Sequence, residues 1–513
     1  MSHQTVLVVD FGAQYAQLIA RRVREAQVFS KLVPYHRAFE IAKAERPAAI
    51  IFSGGPASVY ADKAPRIEKE IFELGIPILG ICYGVQLTAF TLGGKVEKQA
   101  HREYGSAVID IVEPNELLSG VGERTDVWMS HGDALTQPPP GFKVLARTPS
   151  CPLAVIGDSQ KKIYGVQFHP EVTHTPKGRQ ILRNFLYQIA GCRGDWRMSN
   201  FVDTEVKRIK ETVGKSRVIL GLSGGVDSSV AAVLIHQAIG DQLQCIFVDN
   251  GLCRKNEGRR VETTFRGHFK IPLWCVDASS RFLEALKDVV DPEHKRKIIG
   301  REFVRVFETK AREVTGAKFL AQGTLYPDVI ESVSAHGGPT ATIKSHHNVG
   351  GLPADLGLEL LEPFRELFKD EVRLIGTELG VPEEIVWRQP FPGPGLGVRI
   401  IGPINAERVK LLQDADEIVQ EEIQAAGLTR QLWQSFAILL PVRSVGVLGD
   451  ERAYGETICL RAVESKDGMT ADWAHLPYAV LGKISSRVVN EVRGVNRVVY
   501  DISQKPPATI EWE

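Results

Sequence analysis

The sequence predicts an α/β protein: two doubly wound, mostly parallel-sheet domains followed by a smaller α+β C-terminal domain. Three observations carry this expectation. From residue 5 to about 190, short apolar runs alternate with helical patterns, as parallel sheets with crossover helices require. A second series of the same kind opens with "RVILGL" at 217–222. After a stretch rich in proline and glycine at 388–403, helix and strand patterns mix without regular alternation.

The elements follow in order. "TVLVVD" (5–10) reads as a strand and "QYAQLIARRVREA" (14–26) as its helix, with "AAIIFSGGP" (48–56) as the next strand and turn. "IPILGIC" (76–82) runs into the helical "YGVQLTAFTLGG" (83–94), and "KIYGVQFHPEV" (162–172) comes near the end of the series. "AGCRGDWRMSN" (190–200) breaks the pattern and marks a first boundary. The second series continues through "LQCIFVDNG", "IPLWCVDAS" and "KFLAQGT" to "ELFKDEVRLIGTELGVP". In that last helix Leu367, Val372, Leu374, Ile375 and Leu379 recur at helical spacing. "RQPFPGPGLGVRIIGP" (388–403) is too rich in proline and glycine for a core element and marks a second boundary. The expected domains are therefore 1–192, 193–388 and 389–513, the last holding "AERVKLLQDADEIVQEEIQAAG", "ETICLRAVES" and "RVVYDIS".

Bulk properties exclude several classes. Lys+Arg and Asp+Glu are 62 each, so no overall field draws the chain to nucleic acid or to an anionic membrane. Seven cysteines without a CxxC pair favour a reducing compartment. The N-terminal residues enter a strand without a basic leader, and no apolar run reaches the ~20 residues needed to span a bilayer, so a soluble cytoplasmic protein is expected.

Two motifs carry chemistry. In "SGGVDSS" (223–229), Gly224 and Gly225 let successive amides face one concavity, with Ser228 and Ser229 expected to cap the following helix. Amides plus a helix N-terminus make an anion site. In "ILGICYG", Cys82 stands between Gly80 and Gly84 at a strand-to-helix turn, parallel to a nucleophile elbow. In "QFHPEV", His169 and Glu171 are two apart and face the same way in extended chain. The carboxylate can then orient an imidazole that activates the thiol.

SGGxDS after a strand resembles the pyrophosphate loop of N-type ATP pyrophosphatases, which cleave ATP between its α and β phosphates. The resemblance implies that Ser223, Gly224, Gly225, Val226, Asp227, Ser228 and Ser229 bind ATP, with Asp249 and Lys369 near the phosphates. It also implies Mg²⁺, held mainly by the phosphates, as the metal. The Cys82, His169 and Glu171 trio resembles class I glutamine amidotransferases over residues 5–190. That resemblance implies an oxyanion site from the amides of Gly55 and Tyr83, and a glutamine contact from Gln86, with "MSHGD" (129–133) a weaker candidate.

The order of modules is similar to the glutamine-hydrolysing GMP synthetase family, as are "KRKIIGREF", "AQGTLYPDVIES", "KSHHNVGGLP", "PFPGPGLGVRI" and "KPPATIEWE". The resemblance implies substrates XMP, ATP and glutamine, with Arg296, Lys505, Ile510 and Glu511 as XMP contacts. It makes the third domain a homodimer interface. "KSHHNVGGLP" is glycine-rich and polar, which suits a mobile lid over ATP. Rivals are another pyrophosphate-loop ligase such as an NAD synthetase, a tRNA-thiolating enzyme, and a non-catalytic glutamine-binding scaffold. The glutaminase trio argues against the first and last. The absence of a paired cysteine motif and of a basic excess argues against the second.

Overall fold

The computed structural model describes residues 3–13, 15–332, 357–448, 451–465, 468 and 470–513. "KSHHNVGGLP" lies outside the described residues, so the lid expectation has no structural counterpart here. The described chain forms two compact units, one centred on residues 3–201 and the other on 202–328 and 357–513.

In the first unit the strands are β1 (Thr5–Asp10), β2 (Phe29–Pro34), β3 (Ala49–Phe52), β4 (Ile78–Ile81), β5 (Lys95–Ile111), β6 (Arg124–Gln137), β7 (Lys143–Arg147), β8 (Val155–Asp158) and β9 (Ile163–Val166). They form one sheet in the order β2-β1-β3-β4-β9-β8-β7-β5-β6. From β2 to β9 all pairs are parallel. Val6–Val9 and Ala49–Phe52 are wholly buried, because a parallel strand covered on both faces must be apolar throughout. Beyond β9 the sheet continues antiparallel through β8, β7, β5 and β6. The parallel strands share one carboxyl edge, so the turns following Asp10, Phe52, Ile81 and Val166 gather there, the usual place for a ligand in such a sheet.

The second unit holds an all-parallel sheet, ordered β12-β11-β10-β13-β14. Its strands are β10 (Arg217–Gly221), β11 (Leu243–Asp249), β12 (Leu273–Asp277), β13 (Ala317–Ala321) and β14 (Glu359–Leu361). The helix Val226–Ile239, apolar almost all round, is buried along most of its length against this sheet. In the helix Lys369–Glu378 the apolar face is narrower than its spacing suggests: Val372 and Ile375 are buried, but Leu374 is exposed. The C-terminal part sets the helices Ala406–Ala425 and Tyr478–Glu491 against β15 (Gln434–Leu448), β16 (Glu451–Glu464), β17 (Asp472–Trp473) and β18 (Val495–Tyr500). Here β15 and β17 pair antiparallel with β16, while β18 pairs parallel to it.

One apolar core runs through this unit, from Ile219 and Ile246 of the parallel sheet to Leu412, Val419 and Ile458 of the C-terminal part. The expected division at 388/389 falls inside it. The proline- and glycine-rich stretch corrects an expectation, for it is a core element in part: Leu396, Val398 and Ile400 are completely buried. Glycine is what permits this. Gly395 sits at φ +63°, and a Cβ there would lie 2.3 Å from the Leu252 carbonyl oxygen.

Candidate active sites

Cys82 follows β4 directly and precedes the helix Tyr83–Thr91. Its backbone is strained, at φ +53° and ψ −107°, a conformation that an L-residue rarely adopts. The surroundings hold it there. Its amide donates to the Val166 carbonyl on neighbouring β9 at 2.8 Å. The helix behind it packs so closely on the sheet that side chains are excluded. A Cβ on Gly84 would lie 2.5 Å from the Phe52 carbonyl oxygen, and one on Gly80 would lie 2.7 Å from the Gly84 backbone. The two small neighbours expected from the sequence are thus a packing requirement.

His169 arrives three residues after β9, its amide donating to the Trp128 carbonyl at 3.0 Å. Its Nδ1 is 2.7 Å from Glu171 Oε1, and both side chains are buried. Cys82 is the other group that acts on the imidazole. Burial disfavours the imidazolium, but Glu171 and Cys82 outweigh it and raise the His169 pKa to about 11. A thiol, an imidazole and a buried carboxylate therefore stand in line. Such an arrangement can form a thiolate–imidazolium pair and deliver the proton to a leaving amine.

The turn after β3 closes the pocket. A Cβ on Gly54 would come 3.3 Å from His169 Cε1, and one on Gly55 would come 3.2 Å from the Tyr83 ring. Gly55 and the Tyr83 ring are therefore neighbours. Gln86, expected as a contact to glutamine, is engaged by protein groups. Its amide nitrogen donates to the Asp133 carbonyl at 2.6 Å and to Gln167 Oε1 at 3.4 Å. "MSHGD" lines the same pocket, since the Cys82 thiol donates to the Ser130 carbonyl at 3.6 Å. Beside it His131 pairs with Glu103 across the β5–β6 ladder at 3.3 Å. Burial nonetheless holds the His131 pKa below its ordinary value.

In the second unit the "SGGVDSS" turn joins β10 to the helix Val226–Ile239. Gly224 takes φ +75° and Gly225 is the N-cap. The serines do not cap this helix, which corrects the expectation. They stand at its third and fourth positions, too far in to reach the first free amides. Instead Ser228 Oγ accepts from the Ser223 amide at 3.2 Å and lies 3.0 Å from Ser223 Oγ, tying the turn to itself. Ser229 is completely buried. Lys369 Nζ donates to Asp227 Oδ2 at 3.3 Å, so two expected ATP residues, 142 positions apart, meet at the turn. Asp227 Oδ1 is buried and has no hydrogen-bond partner among the described residues. Asp249 ends β11, where its Oδ1 accepts from the Gly251 amide at 2.9 Å. Two residues escaped sequence reasoning: Arg388 donates to the Gly224 carbonyl at 2.9 Å and grips Glu257 with Nη1 and Nη2.

The four XMP candidates are spread along the C-terminal tail and one helix. Arg296 donates to the Glu513 carbonyl, and neighbouring Lys295, fully buried, donates to the Ile400 carbonyl at 2.7 Å. Glu511 is already held, by Arg399 Nε and Nη2 at 3.0 and 2.8 Å and by Gln434 at 2.8 Å. Ile510 packs with Phe436, Ile438 and Ala471. Lys505 Nζ donates to the Gly468 carbonyl at 2.8 Å. The tail is therefore anchored against the same unit that carries the glycine turn.

Three family models match in chain order: glutamine amidotransferase class-I over residues 7–189, NAD synthase over 197–298 and GMP synthase C terminal domain over 421–512. GMP synthase (glutamine-hydrolyzing) of Brachyspira hyodysenteriae is 61% identical over 508 residues, which is 99% of each chain. The chain belongs to the glutamine-hydrolysing GMP synthase family. The corresponding proteins of Geobacillus kaustophilus and Halothermothrix orenii are 57% and 59% identical, each over the full length of both chains. Membership in the GMP synthase family sets aside the NAD synthetase rival, because the third model and the end-to-end matches have no place in it. It also explains why a nucleophile elbow and a glycine turn of different chemistry share one polypeptide.

Proposed function

We propose how this chain divides the work of glutamine-dependent GMP synthesis between its two sites. The overall reaction converts XMP, ATP, glutamine and water to GMP, AMP, pyrophosphate and glutamate. In the first unit Cys82, as thiolate, attacks the side-chain amide carbon of glutamine. The amides of Gly55 and Tyr83 receive the oxyanion, and His169 returns the proton to departing ammonia. Water then hydrolyses the thioester to glutamate with His169 as base, and Glu171 holds the imidazole throughout. The observation that carries this reading is the buried Glu171–His169 pair beside a buried thiol whose backbone is strained at a strand end.

In the second unit the Ser223–Ser229 turn holds the β and γ phosphates of ATP while the XMP C2 oxygen attacks the α phosphorus. Pyrophosphate leaves, and ammonia then displaces AMP from C2. Lys369 lies where it can balance charge on the phosphates, and Arg388 with Glu257 fixes the turn. Mg²⁺ neutralises phosphate charge when bound. The buried, unpartnered oxygen of Asp227 is a hard donor that suits it, alongside phosphate oxygens. Arg296 and Lys505 are the cations assigned to the XMP phosphate, with Ile510 and Glu511 near the base.

A homodimer is proposed through the C-terminal ribbon. On β15 and β16, Val442, Val445, Val447 and Tyr454 are all more than half exposed, a grouping of apolar side chains that suits a second copy of the chain. Zero net charge speaks against a nucleic-acid partner. Among the described residues no helix is long and apolar enough to cross a membrane. Seven free cysteines suit a cytoplasmic setting. The deciding experiment supplies the protein with XMP, ATP, Mg²⁺ and glutamine and identifies the products. GMP with AMP and pyrophosphate is expected; ADP and orthophosphate would refute the scheme.

A further inference from the structure

We propose that Gln167 is a catalytic residue of the glutaminase site: its amide donates to the Cys82 sulfur and favours the thiolate, and Gln86 holds it in that orientation. This rests on Cys82 being the nucleophile. Gln167 follows β9 directly, is completely inaccessible to solvent, and places Nε2 3.8 Å from Cys82 Sγ. Its amide could in principle present either end to the sulfur. Gln86 settles the choice. The Gln86 Nε2 has two protons; one goes to the Asp133 carbonyl at 2.6 Å and the other to Gln167 Oε1 at 3.4 Å. With its oxygen thus occupied, Gln167 turns its NH₂ group to the sulfur.

The contact has a direction in the chemistry. As a thiol, Cys82 donates to the Ser130 carbonyl at 3.6 Å while accepting from Gln167. When the proton passes to His169, the Ser130 carbonyl loses the sulfur's proton and faces an anion, which is unfavourable. The Gln167 bond persists and strengthens, because hydrogen bonds to charged groups are about twice as strong as neutral ones. Gln167 therefore offsets a repulsion that the pocket wall creates. The other groups facing the sulfur are His169, backed by Glu171, and the buried Cys151; the His131–Glu103 pair and Tyr15 lie beside the imidazole. Among the described residues, Gln167 is the side chain that donates a hydrogen bond to the sulfur.

The test uses full-length protein carrying Gln167→Leu, Gln167→Glu or Gln86→Leu. Removing one donor to a charged group predicts a kcat for glutamine hydrolysis lower by about 10- to 100-fold, with KM changed only a few-fold. The pH at which iodoacetamide inactivates Cys82 at half-maximal rate should move up in Gln167→Leu. It should move further in the isosteric Gln167→Glu, whose carboxylate opposes the thiolate, and less but in the same direction in Gln86→Leu. An unmoved alkylation profile in any soluble variant, whatever its kcat, assigns Gln167 to packing alone and overturns the proposal. If Gln167→Leu does not fold, Gln86→Leu decides. Glutamine hydrolysis by Cys82→Ala would instead sink the reading of the nucleophile itself.

Discussion

Replacing Glu171 by glutamine isolates the charge behind His169. The exchange is nearly isosteric, and an amide oxygen can still accept from Nδ1, so the 2.7 Å contact and the tautomer survive while the negative charge goes. Little stability should be lost to geometry, because Glu171 Oε2 has no hydrogen-bond partner among the described residues and an unpaired NH₂ takes its place. The catalytic effect is larger. Burial is the largest influence on His169 and acts against the imidazolium; Glu171 is the largest influence opposing it. Without the carboxylate the pKa of His169 falls from about 11 toward or below its ordinary 6.5. At neutral pH the thiolate–imidazolium pair is then no longer favoured. A hydrogen bond to a charged group is worth ~1.5–3 kcal/mol, so kcat/KM for glutamine should drop roughly 10- to 150-fold. The sign of the pH effect follows from the same shift. A raised imidazole pKa contributes stability fully below pH 6.5 and loses it as pH rises toward 11, so the wild-type glutaminase unit should lose stability through that alkaline window. The variant should lose less there. The assays are glutamate release at fixed pH and thermal unfolding from pH 6 to pH 10. Equal glutaminase rates in wild type and Glu171→Gln would refute the role of the charge; equal slopes of stability against pH would refute the shift.

Three further outcomes are expected. Cys82→Ala should abolish glutamine-dependent GMP formation yet leave formation from added ammonium salt, read as GMP by chromatography; loss of both would deny the division between the units. Asp227→Ala removes both the Lys369 partner and the buried free oxygen, and AMP and pyrophosphate release from XMP and ATP should fall by at least about 100-fold, as for a lost charge-stabilising group. Gly84→Ala places a Cβ 2.5 Å from the Phe52 carbonyl oxygen, about 1 Å inside contact distance, so the helix bearing the elbow must lift. Glutaminase activity should drop ~100-fold, as for a comparable misplacement of reacting groups, and normal turnover would show that the elbow tolerates the shift.

The residues that sequence reasoning reached and those it missed differ in a physical way. Cys82, His169 and Glu171 were legible because their constraints are local: a thiol between two small residues at a strand end, and two side chains two apart in extended chain. The glycine turn was legible for the same reason. The antiparallel wing β5–β8 was not, since its strands carry no helix-crossover rhythm. Arg388 and Glu257 lie 131 positions apart, and nothing in either segment alone announces a clamp on Gly224. Gln167 was quoted within "QFHPEV" but unassigned, because its partner Gln86 is 81 residues away and was expected to serve the substrate. The proline- and glycine-rich stretch misled in the opposite sense. Composition marks it as a linker, yet glycine is also the residue that fits where backbone leaves no room for a Cβ, and there the stretch carries Arg399, fully buried, to Glu511 of the tail. A glycine's meaning depends on what approaches it, and that approach is set by residues far away in the chain.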